Sequence, residues 1–172
     1  MFSDLLWSAM SNRLPDAEFA ELIAKASALD PKDVSPGAKI LRSRTLRVRD
    51  WARLNEKRTR FRWAWREFFE RYDVLVTPIM PTTAFPHDHR PEGQRTLPVD
   101  GRTIPYFNQT FWAGVAGVAY LPATIIPTGP AADGLPIGVQ LIGPLYGDLK
   151  LIELAKALET MGFKFVAPEG YD

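Results

Sequence analysis

Through residues 1–72 the apolar positions recur at helical intervals, and after them at strand intervals. Phe19, Leu22, Ile23, Ala26 and Leu29 fall three or four residues apart, which builds one apolar helix face. Pro15-Asp16 opens that run and Asp30-Pro31 stops it, with Asp16 suited to be its N-cap or a first-turn acid. Ser35-Pro36-Gly37 then opens a longer helical run from about Ala38 to Tyr72, in which Leu41, Leu54, Phe61, Trp65, Phe68 and Tyr72 lie near multiples of 3.6. No Pro or Gly interrupts it, so the pattern predicts one helix, or two with a slight break.

Beyond Tyr72 the pattern changes. Asp73-Val74-Leu75-Val76-Thr77-Pro78 is a short β-branched run ended by proline and predicts a buried strand. Residues 79–110 form an excursion in which Pro81, Pro86, Pro91, Pro98 and Pro105 forbid a long helix. Within it Asp100-Gly101 supplies the positive φ angles of a tight turn, predicting a small hairpin over 96–104 that its prolines confine to an edge. Phe111 to Val118 suits a short helix. The stretches 123–128 and 137–142 read as two strands, paired antiparallel, with Asp133-Gly134 and Pro136 as turn signals between them. Asp148 is placed to cap a closing helix over 148–161 that ends before Gly162, and Phe163 to Val166 suits a last strand. The fold expected is α/β (α+β mixed): one domain over 1–172, with two N-terminal helices and a small mixed sheet.

An apolar share of 46% and a charged share of 24% belong to a globular chain able to bury a core. The longest apolar stretch, Ala113 to Pro127, is broken by Gly114, Gly117 and Pro122 and is shorter than the roughly 20 residues of a membrane-spanning helix. Met1-Phe2-Ser3-Asp4 lacks the basic start of a secretion signal, and the chain has no Cys, so a cytoplasmic location is expected. Charge is uneven: Lys39 to Arg71 holds twelve Lys or Arg against four acids, a local +8, and with a net charge of +1 the rest carries −7. Arg42, Arg49, Arg58 and Arg66 with Trp51 and Trp63 raise nucleic-acid binding through this helix as an alternative. The arginines, however, are spread around the helix instead of forming a stripe, so no nucleic acid and no membrane is expected as partner.

Three runs in the second half carry a family resemblance. They are the strand Asp73 to Pro78, the segment Leu121-Pro122-Ala123-Thr124-Ile125-Ile126-Pro127-Thr128-Gly129, and Gly134-Leu135-Pro136-Ile137-Gly138-Val139-Gln140-Leu141-Ile142-Gly143. With the helix after Asp148, their order and spacing resemble the C-terminal portion of an amidase-signature hydrolase, and the first 72 residues resemble the helical segment preceding it. Elementary chemistry fits these residue types: Gly138 and Gly143 permit close backbone approach, and Gln140 sits among apolar neighbours where its amide must find partners.

The resemblance implies a hydrolase of carboxylic amides that uses a Ser nucleophile, a second Ser and a Lys base. An unassisted hydroxyl is a poor nucleophile, and the oxyanion needs preorganised donors. Ser3, Ser8, Ser11, Ser27, Ser35 and Ser43 all lie in the helical half, outside any Gly-rich loop, and no Ser-Ser pair occurs. No catalytic residue is therefore assigned, and the chain is expected to serve as scaffold and substrate-pocket wall without hydrolysing amides alone. The resemblance makes residues 79–118 part of that wall, with Ile79, Met80, Phe107, Trp112 and Tyr120 as candidate substrate-binding residues. No cofactor is expected. His87-Asp88-His89 is the one metal-like cluster, but two His without a third leave most of a coordination shell to carboxylates, so an exposed loop is expected there instead. The partners expected are a second copy of this chain or an N-terminal amidase portion, because half of such a fold leaves apolar surface uncovered.

Overall fold

The computed structural model describes residues 1–167 and 170. It divides into two compact units, Met1–Phe61 and Arg62–Asp172.

The first unit is helical, with α1 (Phe2–Met10), α2 (Asp16–Ser27), α3 (Pro36–Arg44) and the start of α4 (Val48–Phe69), which continues into the second unit. Four helices thus stand where the pattern suggested two. The long run breaks at Thr45, which leaves helical geometry (φ −118°, ψ 29°) while its hydroxyl lies 3.0 Å from the Leu41 carbonyl. Such a back-bond loosens the turn without by itself ending a helix, since Thr59 makes the same bond inside α4. Pro15 separates α1 from α2, leaving Asp16 as the first-turn acid, because the residue before a proline avoids helical geometry. Pro36 takes the first helical position of α3, and the Ser35 hydroxyl accepts the Ala38 N–H at 3.3 Å. Ser43 on α3 reaches α1, its hydroxyl 2.9 Å from the Asp4 carboxylate.

In the second unit β1 (Leu75–Pro78), β4 (Ala123–Pro130) and β5 (Pro136–Ile142) form a sheet of order β1-β5-β4. Both pairings are antiparallel, so the sheet is not the mixed one expected. The short 131–135 turn can only return the chain antiparallel. Leu141 pairs with Val76 and Thr124 and shares their face, where Ile126 and Leu151 join it in the core. That face is covered by α6 (Asp148–Thr160), whose Leu151, Leu154, Ala155 and Leu158 point inward. Asp148 is the first helical residue and Gly147 holds the cap position, so Asp148 favours the helix through charge at its positive end instead of a capping bond. Residues 163–166 form no strand. Close approach explains two glycines: a Cβ on Gly138 would lie 2.6 Å from the Ile126 carbonyl oxygen, and one on Gly143 would lie 3.0 Å from the Leu151 side chain.

The excursion carries the expected hairpin, β2 (Thr96–Val99) and β3 (Arg102–Pro105). Its turn has φ 48° at Asp100 and 73° at Gly101, the paired positive angles of a type I′ turn. It is a separate two-stranded sheet, not an edge of the larger one. A 3-10 segment (Tyr106–Thr110) leads into α5 (Phe111–Ala119).

Candidate functional site

One wall candidate, Trp112, is tied to Gln140, a buried amide in β5. Its Nε2 donates to the Thr77 hydroxyl at 3.2 Å and to the Trp112 carbonyl at 3.3 Å. One side chain therefore ties β5 to β1 and to the first turn of α5. Gln140, Thr77 and Ile142 share the sheet face opposite α6, and α5 meets that face through this bond. A buried amide left without partners would cost about 1–3 kcal/mol, so the pair of bonds holds α5 in place.

Ile79 and Met80 follow directly on β1, two and three residues past Thr77, so Gln140 joins their segment to Trp112. Trp112 is half-buried, with its ring perpendicular to that of Phe111 at 5.1 Å. Phe107 is half-buried in the 3-10 segment, its ring against that of Tyr106 at 6.1 Å. Tyr120 lies at the far end of α5, about 12 Å from Trp112 along the axis at 1.5 Å per residue. It is 52% exposed, takes the left-handed conformation at φ 59°, and has the Arg62 guanidinium 5.4 Å above its ring. Of the five candidates, Gln140 thus bonds Trp112 and the strand that leads to Ile79 and Met80, while Phe107 packs on Tyr106 and Tyr120 lies at the opposite end of α5. Gln140 itself was marked by its setting in the sequence, a lone amide in an apolar strand.

Four of the six serines are engaged in structure. Ser11, Ser27 and Ser43 each donate to the carbonyl four residues back, at 3.0, 2.8 and 2.9 Å, and Ser35 caps α3. Among the described residues no lysine Nζ meets a serine hydroxyl; Lys25 pairs with Glu21 at 3.5 Å and Lys150 with Asp73 at 2.6 Å.

A concavity lies elsewhere in the excursion, bordered by Tyr106 next to Phe107. A cleft of about 410 Å³ opens between the 85–90 loop and the β2–β3 hairpin. Leu97, 3% exposed, lies in its lining, and Phe85 and Tyr106 meet perpendicularly at 6.0 Å to form an apolar corner. His87 and His89 line it with ring centroids 6.0 Å apart and planes 25° from parallel. Asp88 between them is held by Arg90 through contacts of 3.0, 3.1 and 2.7 Å. Those hydrogen bonds hold the Asp88 carboxyl down at about 2, from an ordinary 3.8. Among the described residues no three His, Asp or Glu side chains gather as a metal-ligand set. No described helix is long and apolar enough to cross a membrane. Little in the chain's pattern points to this cleft, because its walls come from two stretches brought together by the hairpin.

Comparison with known proteins places the chain in a family. The sequence pattern of the Amidase family matches residues 31–152. This chain belongs to the Amidase family. Its curated relatives include a glutamyl-tRNA(Gln) amidotransferase subunit of Halothermothrix orenii, 37% identical over 91 residues that make up 53% of this chain and 17% of the relative. The same subunit of a Synechococcus strain is 34% identical over 110 residues, 63% of this chain and 21% of the relative. This amidase-family chain thus spans about a fifth of the curated relatives it matches. Among solved structures, one described as a vestigial protein complex bearing on the origin of an s-triazine catabolic enzyme superposes at TM-score 0.68, covering 97% of this chain and 35% of that one at 20% identity. The glutamyl-tRNA(Gln) amidotransferase subunit of Thermotoga maritima superposes at 0.56, covering 89% of this chain and 29% of that one at 22% identity. At these identities the superpositions establish the shared fold.

Proposed function

We propose that this amidase-family chain is the C-terminal portion of a hydrolase of carboxylic amides, supplying scaffold and pocket wall while an N-terminal portion supplies the nucleophile and base. The observation that carries this reading is the Gln140 tie, which fixes Trp112 and the chain leading to Ile79 and Met80 around one buried amide. In this reading Phe107 and Tyr120 extend the wall along the 3-10 segment and α5, and residues 1–172 act as one functional portion. Ser11, Ser27 and Ser43 support it from the other side, their hydroxyls spent on helix backbone carbonyls.

Two measurements test it. The pure chain is expected to leave an amide and ester panel unhydrolysed and to resist a serine-directed fluorophosphonate label; robust turnover sinks the reading. A chimera in which this chain replaces the matching stretch of an amidase relative is expected to hydrolyse amides, with Gln140→Leu and Trp112→Ala raising KM more than they lower kcat. A folded chimera whose KM ignores both substitutions removes the wall role.

A second reading, an assembly module, draws on the sheet edges. Val76 on edge strand β1 is 54% exposed and Ile125 on edge strand β4 is 59% exposed, β-branched residues on strands that have room for a further partner. Self-association through an edge predicts a dimer by sedimentation that Ile125→Lys returns to monomer, and a monodisperse monomer at high concentration argues against it.

A further inference from the structure

The excursion cleft shares no residue with the five wall candidates, and its chemistry is separate from theirs. Its floor and corner are apolar: Leu97, Phe85 and Tyr106, with the rings of Pro86 and Pro98 beside them. Its polar lining is His87, Asp88, His89, Arg90 and Thr96. His87 and His89 present two imidazoles side by side, and Arg95, which stands just outside the lining, places its guanidinium 5.7 Å over the ring of Tyr106 at the cleft's border. The one carboxylate in the lining, Asp88, is already held by Arg90, so those two charges offset each other. Arg95 differs: its Nε donates to the Arg90 carbonyl at 2.6 Å, a neutral acceptor, and among the described side chains no carboxylate lies within ion-pair distance of it. An apolar corner beside two imidazoles, with a guanidinium at its border that has no ion pair among the described side chains, suits a compact apolar body bearing a single negative group. The volume of about 410 Å³ lies in the range of small-molecule clefts.

We propose that this cleft binds a small carboxylate with an apolar body, the body against Leu97, Phe85 and Tyr106 and the carboxylate received by His87, His89 and Arg95. The hairpin makes this possible. The type I′ turn at Asp100-Gly101 sets the β2–β3 register, Leu97 opposite Ile104, and the Tyr106 N–H closes the hairpin base on the Arg95 carbonyl at 3.0 Å. Leu97, Tyr106 and Arg95 therefore come from one hairpin unit, and the 85–90 loop supplies Phe85 and the opposite wall.

The chain contains two histidines, both in this cleft, so their Cε1–H NMR signals report on it directly. Benzoate is the probe, titrated into the 172-residue chain at fixed pH. Both imidazole signals are expected to shift saturably with benzoate and with cyclohexanecarboxylate. Benzylammonium, with the same body and the opposite charge, and phosphate, with charge and no body, are expected to leave them in place. Arg95→Gln, with hairpin amide shifts unchanged as proof of folding, is expected to weaken benzoate about tenfold, one charge-assisted contact. Absence of a saturable shift with benzoate overturns the assignment, as does benzylammonium or phosphate binding equally well, or Arg95→Gln binding undiminished. Amide hydrolysis plays no part in this test, so its outcome and that of the chimera are independent.

Discussion

In residues 1–61 the buried apolar side chains are Leu5 and Ala38, although α1, α2 and α3 each carry an apolar stripe; at the end of β5, Gln140, Leu141, Ile142 and Gly143 are buried in succession. α2 buries no residue at all, and its stripe residues Phe19, Leu22 and Ala26 are half covered. Amphipathic spacing is therefore enough to build a helix, but it does not tell how completely water is excluded from it. Stabilisation scales with apolar area removed from water, so equal stripes can differ several-fold in what they contribute. The helical unit rests on caps and local hydrogen bonds, such as Ser35 to Ala38 and Arg42 to the Asp30 and Asp33 carbonyls. The sheet unit rests on an α6-covered core.

That contrast predicts where substitutions hurt. The largest effect is expected from Leu141→Ala, where a side chain 1% exposed leaves a cavity costing about 2–5 kcal/mol. Ile23→Ala, on the exposed flank of α2, is expected to stay within about 0.5 kcal/mol. Urea unfolding of both variants reads the difference, and equal midpoints would break the contrast. Gly138→Ala comes next: its new Cβ must displace the Ile126 carbonyl, a backbone atom, at a cost of about 1–3 kcal/mol in the same assay. A smaller effect, about 1 kcal/mol, is expected from Ser35→Ala, which removes the α3 cap. Hydrogen exchange should show it as faster exchange in the first turn of α3 with β5 protection unchanged; weaker protection throughout β5 would mean the two units unfold together. The smallest effect concerns Asp88. Because its carboxyl is depressed from 3.8 to about 2, the Arg90 contact is fully present above 3.8 and is lost as pH falls towards 2. Carboxyl carbon NMR should place the midpoint near 2 and return it towards 3.8 in Arg90→Gln.

Much of this was readable residue by residue. Asp100-Gly101 announced the hairpin, Ser35-Pro36 the start of α3, and Gly138 and Gly143 their close contacts, because each feature depends on one or two positions. A slight break in the long helical run was readable, but its place at Thr45 was not, since no Pro or Gly marks it. The pairing of β1 with β5 was not readable either, because non-consecutive strands find each other through long-range packing. The strand expected at 163–166 failed for a related reason: a β-branched, aromatic run forms a strand only where a neighbour offers it hydrogen bonds. Of the candidate site, Gln140 could be marked in advance by its setting, whereas the Phe85–Leu97–Tyr106 corner exists only once the excursion has folded back on itself.

Tyr120 ends α5 in a conformation that glycine adopts freely and tyrosine adopts at a penalty of about 1–2 kcal/mol. Any search that rewards thermal tolerance alone will therefore favour glycine at position 120, and the winner will have lost the ring beneath Arg62. Hardier variants of this chain are thus poor guides to what the position is for. A tyrosine retained there under selection for activity would mark a side chain kept for where it points.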